Sequence, residues 1–351
     1  MAGGGSRARM AGLKKELTIA GGGLAGLSLA VALRLRGVPV TVLEAGSYPR
    51  HRVCGEFISG VGSETLEALG ISDLFDDAKR QRSVRWCGEG RMWHRNSLPV
   101  AALGISRHEL DLRLSNRLLE LGGELRTGYR CRPVPTDGFV WAGGRKARTG
   151  RWVGLKCHAR LGDRMEADLE MHSGTNGYVG LAGVEDGWVN VCGLFRIDET
   201  RRGRAEELLA SYLEGGGNQE LAKALRDSEV RPGSFSSVAG FELGRQVAVP
   251  GLCVLGDAES MIPPFTGNGM SMAFQAAETA IEPLCQWASD RIAWQTAANE
   301  LKGRLRQRFR RRLFVARLLH RVLLDSGGRS FLRNLGALHL LPFRSMLSLV
   351  R

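Results

Sequence analysis

The six residues Gly21-Gly22-Gly23-Leu24-Ala25-Gly26 limit the fold of this chain more than any other feature. A short apolar segment, Glu16-Leu17-Thr18-Ile19-Ala20, precedes them. Leu27 to Arg36 follows with the composition of a helix, which Gly37 ends. Val38 to Glu44 is valine-rich and reads as a second strand. Strand, glycine turn, helix and strand make one βαβ unit. In such a unit Gly21 permits the tight turn, Gly23 lets the backbone approach a pyrophosphate, and Gly26 lets the helix pack on the strand. The helix N-terminus presents its free N–H groups to the phosphates. Glu44 closes the second strand, where an acid accepts from ribose hydroxyls and disfavours a 2′-phosphate. Leu17 to Leu33 is uncharged and follows Arg7, Arg9, Lys14 and Lys15, which imitates a secretory signal. Its glycines and its length fit the βαβ unit better, and no other stretch reaches about 18 apolar residues.

The rest of the chain sets the organisation. At 351 residues it is long enough for roughly two domains. From Ser83 to Ile105 the pattern turns to short extended pieces, and Arg107 to Leu121 has leucines at helical spacing. Arg151 to Ala159 alternates like a half-buried strand. Tyr178–Val184 and Trp188–Phe195 are two more strands, with Asp186-Gly187 as the hairpin signal between them. Helices are expected at Glu206–Leu213, at Glu220–Leu225 and from about Asn268. The predicted fold class is α/β: a Rossmann-like nucleotide-binding domain with an inserted antiparallel β-sheet substrate domain and a helical C-terminal tail. The expected segments are a disordered leader at 1–12, a discontinuous nucleotide domain at 13–82, 106–150 and 240–297, a substrate domain at 83–105 and 151–239, and a basic helical segment at 298–351. Seven cysteines, an odd number with no C-x-x-C pair, argue against a disulfide framework or a zinc knuckle and for a reduced, cytoplasmic setting. No metal site is expected.

A second motif lies some 230 residues after the first. Gly256-Asp257-Ala258 follows the apolar run Leu252–Leu255, and Ile262-Pro263-Pro264-Phe265-Thr266-Gly267-Asn268-Gly269-Met270 follows in turn. A carboxylate at the end of a strand suits a sugar or ribityl hydroxyl. The glycines let backbone approach a flat ring, and a helix beginning near Asn268 aims its positive end at that ring.

With both motifs in place, the sequence resembles the FAD-dependent oxidoreductases that include the aromatic-ring hydroxylases and the geranylgeranyl reductases. The resemblance implies FAD as cofactor, its ADP half held by Gly21, Gly23, Gly26 and Glu44. It implies Gly256 and Asp257 on the ribityl chain and Pro264, Gly267, Asn268 and Gly269 beside the isoalloxazine. Arg107 matches an arginine that contacts FAD, and Arg52 stands with it among the expected cofactor residues. The segment His51-Arg52-Val53-Cys54-Gly55-Glu56 sits where the reductase branch carries a Cys-Gly near the flavin. Cys54 and Glu56 are the candidate catalytic residues, the thiol facing substrate or flavin and the acid as a proton donor. Their alternatives are a packed thiol and a salt-bridged loop acid. His51 could serve as a base, against the simpler reading of an exposed loop histidine. Where ring hydroxylases carry an Asp-Gly motif serving FAD and NADPH, this chain has Ala142-Gly143-Gly144-Arg145. NAD(P)H stands as an electron donor without that motif. The run Tyr178-Val179-Gly180-Leu181-Ala182-Gly183 lacks most of the reductase aromatic motif.

Charge is concentrated at one end. The chain carries +13, and residues 302–351 contain thirteen Lys/Arg against the single acid Asp325. Leu305, Phe309, Leu313, Ala316, Leu319 and Leu323 share one face of a helix there, and Arg306, Arg310, Arg317 and Arg321 the next. The pattern suits peripheral contact with an anionic membrane surface, or an apolar stripe packed on the protein with a solvated basic face. Nucleic acid ranks below both, since no stacking platform is evident. The activity expected is oxidation–reduction on a lipophilic small molecule, by oxygen-dependent hydroxylation of an aromatic or polyketide-like substrate. The alternatives are reduction of isoprenoid-type double bonds and a non-catalytic flavin-binding docking or redox-sensing module. No oligomeric state is predicted.

Overall fold

The βαβ unit forms where the sequence places it. A computed structural model describes residues 14–88, 91–145, 150–246, 249–338, 340 and 342–349, so the leader expected at 1–12 lies outside the described residues. β1 (Leu17–Ala20) and β2 (Val40–Leu43) pair in parallel, Leu17 opposite Val40. β6 (Glu124–Arg126), β7 (Phe139–Trp141) and β14 (Cys253–Val254) complete a five-stranded parallel sheet in the order β14-β7-β1-β2-β6. α1 (Leu24–Leu35) is buried from Leu24 to Leu33. It is apolar nearly all round because α3 (Arg107–Glu120) and α6 (Gly269–Ala288) pack on it beside the sheet. α2 (Ser63–Leu69) packs on α6.

The middle of the chain builds an eight-stranded sheet in the order β12-β8-β11-β10-β9-β4-β5-β3. Its strands are β3 (Phe57–Ile58), β4 (Lys79–Gly88), β5 (Arg91–Gly104), β8 (Trp152–Ala159), β9 (Leu169–Ser173), β10 (Gly177–Gly183), β11 (Val189–Arg196) and β12 (Ser236–Ala239). All neighbours are antiparallel except β4 and β9. The β10–β11 hairpin turns at Asp186 (φ 56°) and Gly187 (φ 74°), the two left-handed positions its sequence signals. α4 (Glu206–Gly215) and α5 (Gln219–Arg226) cover one face, with Leu209 and Leu213 in a core shared with Leu155, Cys157 and Val191. β13 (Gly244–Arg245) and β15 (Ser260–Met261) form a small ribbon.

Three helices end the chain: α7 (Trp294–Leu324), α8 (Ser326–Ala337) and α9 (Phe343–Leu349). Of the apolar stripe, Leu305, Phe309, Leu313 and Ala316 are buried in the core of the nucleotide domain and Leu319 packs partly against it. Leu323 joins a second cluster with Tyr178 and Phe241. The stripe is therefore occupied by the protein itself. No helix among the described residues is long and apolar enough to cross a membrane.

Candidate functional site

One cavity of about 1010 Å³ runs from the glycine turn to the terminal helices. That is at the upper end of the range for small-molecule sites. Its first part is polar. Gly21, Gly23, Glu44, Arg52, Arg107 and Asp257 are on its wall. Gly21 has φ 117°, and a Cβ there would stand 2.2 Å from Ala142 O, so only glycine fits the turn. A Cβ on Gly23 would meet nothing closer than Arg107 Nη2 at 3.9 Å, so that backbone is open to the cavity. Gly26 is not on the wall. A Cβ there would lie 2.0 Å from Gly21 O, which identifies it as the point where α1 packs on the turn.

Glu44 is buried and accepts from the backbone N–H of Gly22 (2.7 Å) and Gly46 (2.9 Å) and from Arg50 (2.8 Å). Burial alone would raise its pKa, but the Gly46 N–H and the Arg52 and Arg50 charges outweigh it and leave the carboxyl below its usual range. Arg107 is fixed by Asp111 one helical turn later, Nε to Oδ1 at 2.7 Å and Nη2 to Oδ2 at 2.8 Å. Asp111 also accepts from Arg52 Nε at 3.0 Å. One fully buried acid on α3 thus holds both predicted arginines. Arg52 Nη2 makes no hydrogen bond but lies 3.7 Å from Glu44 Oε2, an ion pair. Asp257, at the end of β14, has its pKa raised by burial against the opposing pull of Arg145 and Arg107. No hydrogen bond to its carboxylate occurs among the described residues.

These features pass the test for FAD. An open glycine backbone, two guanidiniums fixed on the wall and a carboxylate without a hydrogen bond are what phosphate and ribityl hydroxyls would engage. Pro264, Gly267 and Gly269 line the next part of the cavity. Nothing within 4 Å would meet a Cβ on Gly269, the first residue of α6. Asn268 is fully buried and precedes α6, away from the cavity wall. Ala142-Gly143-Gly144-Arg145 also lines this end, with Arg145 over the Phe241 ring at 5.5 Å.

The two candidate catalytic residues part company here. Cys54 is on the wall, and burial raises its thiol pKa, so it is a neutral wall residue at neutral pH. Glu56 lies behind the wall, fully buried with φ 52°. Its Oε1 accepts from Lys156 Nζ (3.1 Å) and from the backbone N–H of Arg107 (3.0 Å), and its Oε2 meets His158 Nε2 at 2.5 Å. Burial opposes ionisation, but Lys156 and His158 overcome it and hold the carboxyl at about 2. An acid ionised and walled off in this way cannot donate a proton to a cavity ligand at neutral pH. It is a buried salt-bridged loop acid.

His51 is likewise no exposed loop residue. It is half-buried, stacked on His108 at 4.5 Å and edge-on to His158 at 4.9 Å. Burial and then Lys156 lower its pKa to about 3. Lys156 Nζ, which can only donate, lies 3.1 Å from His51 Nδ1, so the ring proton is on Nε2. His51, Glu56 and His158 bring three metal-ligand atoms within 4.8 Å. The Lys156 ammonium already bonds two of those three residues, and the set reads as a charge cluster.

The far part of the cavity is largely apolar, with His94 and Glu170 as polar residues on its wall. Trp86, Met171, Tyr178, Phe265, Leu323 and Phe343 are on its wall. Tyr178 is buried and its hydroxyl accepts from Phe265 N–H at 3.3 Å. His320 closes the back against the rings of Trp152, Tyr178 and Phe265.

Comparison with known proteins agrees with this geometry. Residues 14–157 match the family model described as the FAD binding domain. That match covers less than half of the chain and, with the fold, is consistent with an FAD-dependent oxidoreductase. A menaquinone reductase of Mycolicibacterium smegmatis is 26% identical over 128 residues, 35% of this chain and 31% of the relative. A menaquinone reductase of Mycobacterium tuberculosis is 23% identical over 189 residues, 50% and 46% of the two chains. The chain thus spans a third to a half of the length of these curated relatives. Among solved structures, Pseudomonas aeruginosa PqsL in complex with 2-aminobenzoylacetate has a TM-score of 0.73 at 16% identity, covering 91% of this chain and 100% of that one. A Klebsiella pneumoniae HpxO variant complexed with FAD has a TM-score of 0.72 at 17% identity, covering 95% and 98%.

Proposed function

We propose that the chain is an FAD-dependent monooxygenase that hydroxylates a lipophilic aromatic or polyketide-like substrate. The observation that carries this reading is the continuity of the cavity, from a polar end built for a dinucleotide to an apolar chamber on the antiparallel sheet. FAD, when bound, would supply two-electron redox chemistry. The chain's own residues do the rest. Asp111 fixes Arg107 and Arg52 on the cavity wall. Asp257 offers its carboxylate to hydroxyl groups. Trp86, Tyr178, Phe265 and Phe343 exclude water and orient a flat apolar substrate. The likeness of the fold to PqsL, described as a probable FAD-dependent monooxygenase, supports this reading. NAD(P)H is the proposed electron source.

A second reading, reduction of an isoprenoid-type double bond, has the menaquinone reductase likeness in its favour. Oxygen separates the two. FAD-loaded protein, reduced anaerobically and given phenolic or quinoid lipids, should form product only when oxygen is admitted. Undiminished turnover without oxygen would sink the monooxygenase reading and establish the reductase.

A further inference from the structure

We infer that the outer face of α7, with α8 and the segment after it, docks on an anionic phospholipid bilayer. The inner face of α7 is used up on the core, so a polar outer face would be the ordinary complement. Instead Phe314 is 63% exposed and Leu318 52%. Phe314 stands four residues after Arg310 and three before Arg317, and Leu318 three before Arg321, so cations bracket an apolar pair on one helical face. Phe331 on α8, and Leu338 and Leu340 after it, are also exposed. Arg304 and Arg308 pair with Glu300 and Glu278. Arg306, Arg310, Arg311, Arg317 and Arg321 pair with no carboxylate among the described residues.

A groove beside this face supplies the second observation. It has a volume of about 530 Å³ and is lined by Arg245, Arg306, Arg310 and Arg317, with Glu259 as its one acid. Glu259 lies 3.7 Å from Arg245, leaving three guanidiniums without a counter-charge. Guanidiniums so placed favour phosphate. Arg310 and Arg317 belong both to the groove and to the face carrying Phe314. A headgroup phosphate in the groove would therefore set Phe314 and Leu318 at the acyl boundary, as in other interfacial helices. Three of the five exposed apolar residues are leucines, which insert into acyl chains and offer no platform for stacking bases. Leu319 and Leu323 of α7, Leu332 of α8 and Met346 and Leu347 of α9 wall the apolar end of the cavity. Delivery of a lipophilic substrate through that wall rests on the proposed function; the docking itself does not.

The test is co-sedimentation of the FAD-loaded full chain with phosphatidylcholine vesicles, with and without phosphatidylglycerol. Binding is expected only to the mixed vesicles and should fall as salt is raised. Phe314→Ser/Leu318→Ser should weaken partitioning by at least about tenfold, given the area each side chain would bury. Arg310→Ser/Arg317→Ser/Arg321→Ser should weaken it roughly a hundredfold, at about 1 kcal/mol or fivefold per cation. These side chains lie outside the large cavity, so FAD retention and thermal unfolding serve as the check on folding. Equal binding to pure phosphatidylcholine, no binding to either vesicle, or binding that both variants leave unchanged would overturn the proposal. Retention of duplex DNA without vesicle binding would overturn it in favour of nucleic acid.

Discussion

Lys156→Met tests the physical account of the buried charge cluster. Lys156, Glu56 and His158 are each 0% exposed, and the ammonium is 3.1 Å from Glu56 Oε1. Removing one partner of a buried ion pair typically costs about 3–5 kcal/mol, because the other charge stays behind uncompensated. Glu56 would keep His158 and the Arg107 N–H, so the lower figure, about 3 kcal/mol, is expected at pH 7. Lys156→Met/Glu56→Gln removes both charges and should recover most of that loss, to within about 1 kcal/mol of the parent, since replacing both partners leaves no orphan charge. The pH dependence carries the diagnosis. In the parent the Glu56 pKa is depressed to about 2 from 4.5. Its stabilisation is therefore fully present above 4.5 and is lost only as pH falls through about 2. Without Lys156, burial is the main remaining influence and raises the carboxyl pKa. Once it exceeds the unfolded value the linkage reverses, and the variant regains stability as pH falls from 7 to 5. His51 also faces Lys156, and the double variant isolates that contribution because its His51 is relieved in the same way while Glu56 no longer titrates. The assay is urea unfolding of the FAD-loaded proteins, followed by tryptophan fluorescence at pH 7 and 5. A cost under about 1 kcal/mol, or a penalty unchanged at pH 5, would refute the reasoning.

Two adjacent motif glycines should fail in opposite ways. Gly23→Ala projects a methyl into open cavity and should leave the melting temperature of the apoprotein within a degree or so while weakening FAD at least about tenfold by titration. Gly26→Ala forces a Cβ to 2.0 Å from Gly21 O and should cost about 1–3 kcal/mol or more of stability in urea, with FAD lost as a consequence. His320 is buried among three aromatic rings, with its pKa lowered by burial to about 4. A histidine held neutral in this way makes the fold less stable as pH drops below 6.5 and toward 4. His320→Leu should therefore spare about 2 kcal/mol of the stability that the parent loses between pH 7 and 5, measured by urea unfolding at both values.

The parts of the site legible in the sequence are those that act through backbone or through near neighbours. Gly21, Gly23 and Gly26 declare themselves because a tight turn, an open approach and a close packing each exclude a side chain at fixed spacing, and the flanking periodicities fix strand and helix. Asp111 carries an ambiguous signal. It stands one turn after Arg107 on a helix whose cap is the Ser106–Glu109 pair, yet an acid at that spacing on an amphipathic helix reads equally as a solvated partner. Lys156 and His158 gave none. They alternate with Leu155 and Cys157 along β8, and alternation assigns them to the wet face. That face is dry because the 51–56 loop, about a hundred residues away in sequence, folds over it and brings Glu56 to meet them. The tail shows the same limit from the other side. Its leucine stripe was legible as an amphipathic face, but the helix wheel does not say which surface the face meets. The structure gives the stripe to the protein's own core and leaves Phe314 and Leu318 outside among the arginines. A local pattern fixes which residues must be covered together, and only the long-range packing decides what covers them, so the cluster behind Cys54 and the apolar residues on α7 are where structure adds most to sequence.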